Sequence, residues 1–339
     1  MDKSKYNIIE SIVPDELKNK EAIVELLKRV EPVGVISALD NHCKICIDEN
    51  DEIKFFKLLL PSFTEAEVCR YTSLNSLFTT INTLKQGMCC LNCMNDRTEG
   101  QYADRILNSY SPMADIIIKS AMSLISRKQI NSKFNNDIIY EIGIDKANTS
   151  FILSLCGDDM IDNLDMWRLY GDNAKGVCII YEIDYSFIHS QDEFFLARVS
   201  YGKDVDKHPE LQLIKDINDK LFDKQWVIKQ WGIWKHFFKP FQFRNESEVR
   251  LLYVNDKTDM VHDRTWFMSN NNIITRMMLF DCGNVNNAFP LKIKNIILGP
   301  NVYEEETNAR QLKFLLFERG ITRPSDQILF HSKHKNIYR

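Results

Sequence analysis

Polar groups set inside otherwise apolar strands constrain this chain more than any other feature. The clearest case is FRNESEVRLLYV, residues 243–254. Successive side chains of a β-strand point to opposite faces. Read as strand, the stretch puts Glu246, Glu248 and Arg250 on one face and Ser247, Val249 and Leu251 on the other. Neighbouring carboxylates repel unless their charge is used or neutralised. Glu246 and Glu248 are therefore either a catalytic pair or part of a scaffold that Arg250 offsets.

The rest of the chain alternates strands and helices in no strict order. DELKNKEAIVELLKRV, residues 15–30, carries Leu17, Ile23, Val24, Leu26 and Leu27 at helical spacing. With Pro61 as a boundary, residues 1–60 read as an N-terminal helical extension and 61–339 as one domain. VCRYTSL reads as strand, NSLFTTINTLKQG as a helix ended by Gly87, and MCCLNCM as strand. FILSLCG, VCIIYEI, FFLARVSY and LKIKNIILGP read as strands, and EEETNARQLKFLLFERG as a helix. Residues 205–239 have helical period and include Trp226, Trp231 and Trp234. The absence of βαβ alternation predicts an α+β fold, a mixed or antiparallel central sheet flanked by helices.

Composition narrows the function classes. The 339 residues carry a net charge of -4, so a generally basic nucleic-acid binder is not expected, although a local basic groove is compatible. The N-terminal stretch has no signal-peptide core, and no segment approaches the ~18 apolar residues of a membrane helix. A cytoplasmic protein without membrane partners is expected. Nine cysteines without a secretion signal predict free thiols. Cys43 with Cys46 (after His42) and Cys90 with Cys93 form CxxC pairs, but the pairs stand farther apart than the ~15–20 residues usual for zinc. No metal is expected. The common phosphate loops, GxxxxGK[ST] and GxGxxG, are absent.

Two resemblances follow from the motif order. An RYxSL stretch (Arg70, Tyr71, Ser73, Leu74) leads through a helix and a strand to an NDxxE turn (Asn95, Asp96, Glu99). A serine-bearing strand then precedes MWRLYGDNAKGVCIIY, and an ExEVRL strand and a late IILGP strand follow. This order resembles the uncharacterised, mainly bacterial family catalogued as domain of unknown function 2971, over about residues 65–325. It is similar, more distantly, to the ADP-ribosyltransferases. That likeness implies an Arg, a Ser and a Glu on successive strands: here Arg70, Ser154 and Glu248, with Glu246 as the other ExE carboxylate. It implies NAD as the substrate and a nucleic-acid or protein acceptor, in the setting of a bacterial toxin or phage-defence effector.

The chemistry is coherent with those residue types. Cleaving the nicotinamide–ribose bond passes through an oxocarbenium-like state that a carboxylate stabilises. Arg70 can grip a phosphate or ribose of the dinucleotide. Tyr71, Trp167 or Tyr170 can stack on nicotinamide, Ser73 can contact the cofactor, and Lys175 in the GDNAKG turn can meet a phosphate. Each residue also has a structural reading: Arg70 as an ion-pair partner, Ser154 as a core hydroxyl, Trp167 as core. Two rival functions stay open. WVIKQWGIWKHFFKPFQFR mixes basic and aromatic residues, as single-stranded nucleic-acid binders do, or packs its tryptophans inward. Asp96, Glu99, Glu246 and Glu248 could serve a metal-dependent nuclease.

Overall fold

The computed structural model describes residues 3–36, 43–91, 99–110, 150–190, 193–204, 207–223, 226, 228, 230–254, 265–270, 273–283, 287–323 and 325–335. In chain order the elements begin with α1 (Lys3–Ile12), α2 (Lys20–Arg29), β1 (Val33–Ile36), β2 (Cys43–Cys46), α3 (Glu49–Leu59), β3 (Glu67–Thr72), α4 (Leu74–Thr83), β4 (Lys85–Cys90) and α5 (Glu99–Tyr110). Then come β5 (Ser150–Gly157), α6 (Leu164–Leu169), β6 (Val177–Ile183), α7 (Tyr185–Ser190), β7 (Phe194–Arg198), β8 (Ser200–Tyr201), α8 (Pro209–Asp216), the helical turn α9 (Trp231–Trp234) and β9 (Phe238–Lys239). A 3-10 turn (Phe241–Glu246) leads into β10 (Glu248–Val254), followed by β11 (Thr265–Asn270), β12 (Ile273–Asp281), β13 (Leu291–Leu298), α10 (Glu305–Glu318) and β14 (Leu329–His331). The fold is α+β, as the irregular order of elements predicts.

The chain forms two compact units, each built from three segments. The first comprises Met1–Ser62, Met94–Ser150 and Ala197–Asn245. Its core is aromatic. Ile23, Val24, Leu26 and Leu27 form the buried stripe of α2. Asp48 caps α3 by accepting from the Asn50 amide at 2.9 Å. Phe55 meets Trp226 edge-on at 5.9 Å, and Phe56 stacks on Trp234 at 4.8 Å. The buried Glu52 carboxylate accepts the Gln230 amide at 2.8 Å. Residues 1–60 thus contribute α2 and α3 to this core, where α3 packs against the tryptophans of 226–234. The reason is that α3 has an apolar face of its own to bury, and the distant tryptophans bury it. Residues 205–239 are not one helix: α8 starts on Pro209, passes into a π-turn at Ile217–Leu221, and ends well before α9.

The second unit comprises Phe63–Cys93, Phe151–Leu196 and Glu246–Arg339. It holds a ten-stranded sheet in the order β11-β12-β4-β5-β3-β6-β13-β14, with β10 pairing β5 and β7. The pairs from β11 through β13 are antiparallel, and β13–β14 is parallel. Strand alternation sorts residues onto two faces. The larger core takes Val68, Phe151, Leu153, Leu155, Ile179, Tyr181, Val249 and Leu251 with Leu77, Ile81, Leu312 and Leu316 from α4 and α10. The other face takes Cys69, Tyr71, Cys156, Cys178 and Ile180, covered by Met166 and Trp167 of α6. β6 is covered on both faces, which is why VCIIYEI is almost unbroken in its hydrophobicity. Gly87 does not end α4. That helix stops at Leu84, which is left-handed at φ 52. Gly87 lies inside β4, where a Cβ would come within 2.5 Å of Met277 Cε.

Asp184 illustrates how the sheet hands over to a helix. It follows β6 directly and caps α7: its carboxylate accepts from Ser186 Oγ at 2.5 Å and the Phe187 amide at 3.0 Å, with Lys292 at 3.1 Å. The Ser186 hydroxyl first, then the amide and Lys292, hold its pKa down at about 2. A depressed carboxylate stabilises the fold above its unfolded pKa near 4, and this is lost as pH falls towards 2. Asp184→Ala is expected to cost about 1 kcal/mol at neutral pH. Melting curves of both proteins between pH 5 and 2 should converge at the acid end; a constant gap would refute the linkage.

Candidate functional site

The site is best built outward from α6 and the turn after it. Asn163 starts α6 by accepting from the Asp165 amide at 2.9 Å and the Met166 amide at 3.3 Å. Trp167 is fully buried and donates its indole N–H to Asp162 Oδ1 at 2.7 Å. Tyr71 meets that indole edge-on at 4.8 Å, donates to the Met160 carbonyl at 2.7 Å and accepts the Asn163 amide at 2.7 Å. Burial pushes its phenol far above the ordinary range. Trp167 and Tyr71 are therefore core side chains, not stacking platforms for a cofactor. Ser73 is likewise structural: its hydroxyl caps α4 through the Ser76 amide at 3.1 Å. Beneath α6, contact with the Cys156 and Cys178 thiols, together with burial, raises the Cys69 thiol well above its usual range.

The turn that follows is strained. Asp172, Asn173 and Ala174 all have positive φ, at 53, 51 and 66°. Ala174 is pinned from both sides, its amide on the Trp167 carbonyl and its carbonyl on the Asn301 amide, each at 2.9 Å. Gly171 and Gly176 close the turn with a 2.8 Å backbone bond, and Lys175 points out exposed. Tyr170, just before it, is 47% exposed. Its hydroxyl donates to Glu246 Oε1 at 2.6 Å.

The acidic stretch is not a strand throughout. Residues up to Glu246 form the 3-10 turn, Ser247 is left-handed at φ 45, and β10 begins only at Glu248. Strand alternation thus relates Glu248 to Arg250 but not to Glu246. Arg250, fully buried, grips Glu248 with two bonds, Nε to Oε1 at 2.7 Å and Nη2 to Oε2 at 3.0 Å. Glu246 turns instead towards Tyr170. Ser247 ties the turn to the end of β5: its hydroxyl donates to Asp159 at 3.1 Å and its carbonyl accepts the Gly157 amide at 3.0 Å.

Ser154 is the exposed residue within the otherwise buried β5. Leu153, Leu155, Val249 and Leu251 enter the larger core, so Ser154, Glu248 and Arg250 share the opposite face, the α6 side. Tyr170 draws Glu246 to that same side. Arg70 does not join them. It alternates with Cys69 and Tyr71, which face α6, and so projects into the other face beside Tyr181. Burial lifts the Tyr181 phenol to about 12, against the pull of the Arg70 charge, and its hydroxyl donates to Gln86 at 3.2 Å. The expected convergence of Arg70 with Ser154 and Glu248 is therefore not found, because Arg70 is one residue out of phase.

One group was not singled out by sequence. Asp159, Asp162, Asn163, Asp165, Lys333 and His334 line an open depression of about 410 Å³. The buried Asp162 carboxylate accepts from Trp167, from Ser332 Oγ at 2.7 Å and from the Lys333 amide at 2.9 Å. His334 Nε2 lies 2.9 Å from the Asp162 carbonyl. His331 and His334 share an HxxH spacing in the sequence, and nothing in that spacing names Asp162. Asn95, Asp96, His42 and Cys93 lie outside the described residues, as do the side chains of Cys43 and Glu99. Among the described residues no group of three or more His, Cys, Asp or Glu is arranged to hold a metal. No described helix is long and apolar enough to cross a membrane.

These features define an α+β protein with a carboxylate–tyrosine pair on one face of a large sheet. Residues 166–251 match a family described as a protein of unknown function (DUF2971). That span includes Trp167, Tyr170, Lys175, Glu246, Glu248 and Arg250, and excludes Arg70 and Ser154. No curated protein and no solved structure matches the chain.

Proposed function

We propose that the chain cleaves NAD at the nicotinamide–ribose bond and transfers ADP-ribose to a nucleic-acid or protein acceptor, as a toxin or antiviral effector would. The observation that supports this reading is the Tyr170–Glu246 pair at 2.6 Å on the sheet face that also carries Ser154. Glu246 is the carboxylate placed to stabilise the oxocarbenium ion as the C1′–N bond breaks and nicotinamide leaves with the bonding electrons. The acceptor oxygen or nitrogen then bonds to C1′ and gives up its proton to the Glu246 carboxylate. Tyr170 orients that carboxylate. Glu248, gripped by Arg250, is a positioning residue for the start of β10. Lys175, exposed on the turn after α6, meets a phosphate of the dinucleotide.

Glu246→Gln is expected to lower nicotinamide release about 100-fold, the scale of losing one transition-state electrostatic contact. Its melting temperature should stay close to that of the parent. Nicotinamide release measured by chromatography, with NAD labelled in the adenylate phosphate to follow transfer, provides the test. No NAD binding by calorimetry together with no transferred label would sink the reading, as would a fully active Glu246→Gln protein.

A further inference from the structure

The segment WVIKQWGIWKHFFKPFQFR divides sharply in space. Trp226, Trp231 and Trp234 are 3%, 0% and 3% exposed, so no base can stack on them. Among the described residues of 226–245, the exposed ones are 242–245, at the C-terminal tip. Phe243 is 41% exposed. Gln242, Arg244 and Asn245 are exposed beside it. The Arg244 guanidinium lies on the Phe241 ring, 3.7 Å from its centroid. Among the described residues Arg244 makes no hydrogen bond or ion pair, so its N–H groups remain available in the plane of the guanidinium. Stacking on an aromatic ring holds that plane without consuming those donors. KHFFKPFQFR, residues 235–244, contains no acidic residue. Lys235 is held by Asp104 at 3.3 Å and Lys239 is buried, which leaves Arg244 as the cation presented outward by this stretch.

We infer that this tip is a contact surface for single-stranded nucleic acid, with Phe243 stacking on an unpaired base and Arg244 holding the neighbouring phosphate. An exposed ring beside a fixed guanidinium matches an unstacked base next to a phosphodiester, and paired bases in a duplex have no free face to offer. The inference deepens the transfer reading, and rests on it, in naming nucleic acid as the acceptor class. The contact itself can be measured without NAD, so the two can fail separately.

The test is fluorescence anisotropy of a short labelled oligothymidylate titrated with the full chain. Phe243→Ala should weaken binding about 5- to 100-fold, the range for losing one base–aromatic stack, and Phe243→Trp should retain it. Arg244→Gln should weaken binding and flatten its salt dependence. With one phosphate held, log Kd should change with log salt by a slope of only about 0.7 in magnitude. Phe314→Ala, at an aromatic 59% exposed on α10, serves as the control that changes nothing. Unchanged binding by Phe243→Ala overturns the inference, as does tighter binding to a duplex or to a phosphorylated peptide. Phe243-dependent binding without any NAD cleavage would leave the surface standing and remove the transfer reading.

Discussion

Arg250→Met is expected to destabilise the folded chain by about 3–5 kcal/mol, the largest effect anticipated for any single side chain here. Arg250 is fully buried and Glu248 is 5% exposed, and the two are joined by a two-point contact. Taking away the guanidinium leaves a carboxylate in the sheet with its main counter-charge gone, and an unpaired buried charge costs far more than the pair gains. Removing both charges should therefore be much milder than removing one. Glu248→Leu combined with Arg250→Met should recover most of the loss, to within about 1–2 kcal/mol of the parent. Urea unfolding of the two single variants and the double variant measures this directly. An additive double variant would show that the two residues are not coupled. Set beside the nicotinamide-release assay, it separates scaffold from chemistry: Glu248 variants should move stability, whereas Glu246→Gln should move nicotinamide release.

Gly176→Ala should be the second most damaging change. A Cβ there would stand 2.1 Å from the Thr72 carbonyl oxygen and 2.9 Å from that of Gly171. Both are backbone atoms, so no side chain can rotate away. One of them ends β3 and the other opens the strained turn, which cannot shift without releasing Ala174 from Trp167 and Asn301. Three consecutive left-handed residues already cost roughly 1–3 kcal/mol each, and they persist only because their surroundings determine them. About 3 kcal/mol of destabilisation is expected. Gly320 makes the useful contrast: its φ is +68° but nothing lies within 4 Å of its Cβ position. Gly320→Ala should cost only the conformational term of about 1–2 kcal/mol. Thermal unfolding of the two variants side by side is the measurement, and equal losses would show that the close approach at Gly176 is tolerated.

Much of this organisation was legible from local pattern. The strands at VCRYT, FILSLCG, VCIIYEI and LKIKNIIL were visible because alternation or continuous hydrophobicity reports burial of a strand directly. The turn in GDNAKG was visible because glycine and asparagine tolerate unusual backbone geometry, although the residues that adopt it are Asp172, Asn173 and Ala174. The buried tryptophans were half visible, since the spacing shows an apolar face but not the α3 side chains that cover it. A strand glycine such as Gly87 and a helix-ending glycine look alike in sequence until the neighbouring strand arrives with Met277.

The candidate site divides along the same line. Sequence by itself determined which residues are candidates for chemistry: a serine inside a strand, two carboxylates two positions apart, an arginine after them, a tyrosine before a glycine-rich turn. These follow from residue type and local period, which are properties of neighbours along the chain. Tertiary structure alone decided their grouping. A single left-handed residue, Ser247, breaks the strand and sends Glu246 to Tyr170 while Glu248 goes to Arg250. A one-residue phase difference puts Arg70 on the face opposite Ser154. Both outcomes depend on register between strands distant in sequence. Register is set by which core each face buries, and no local pattern encodes that.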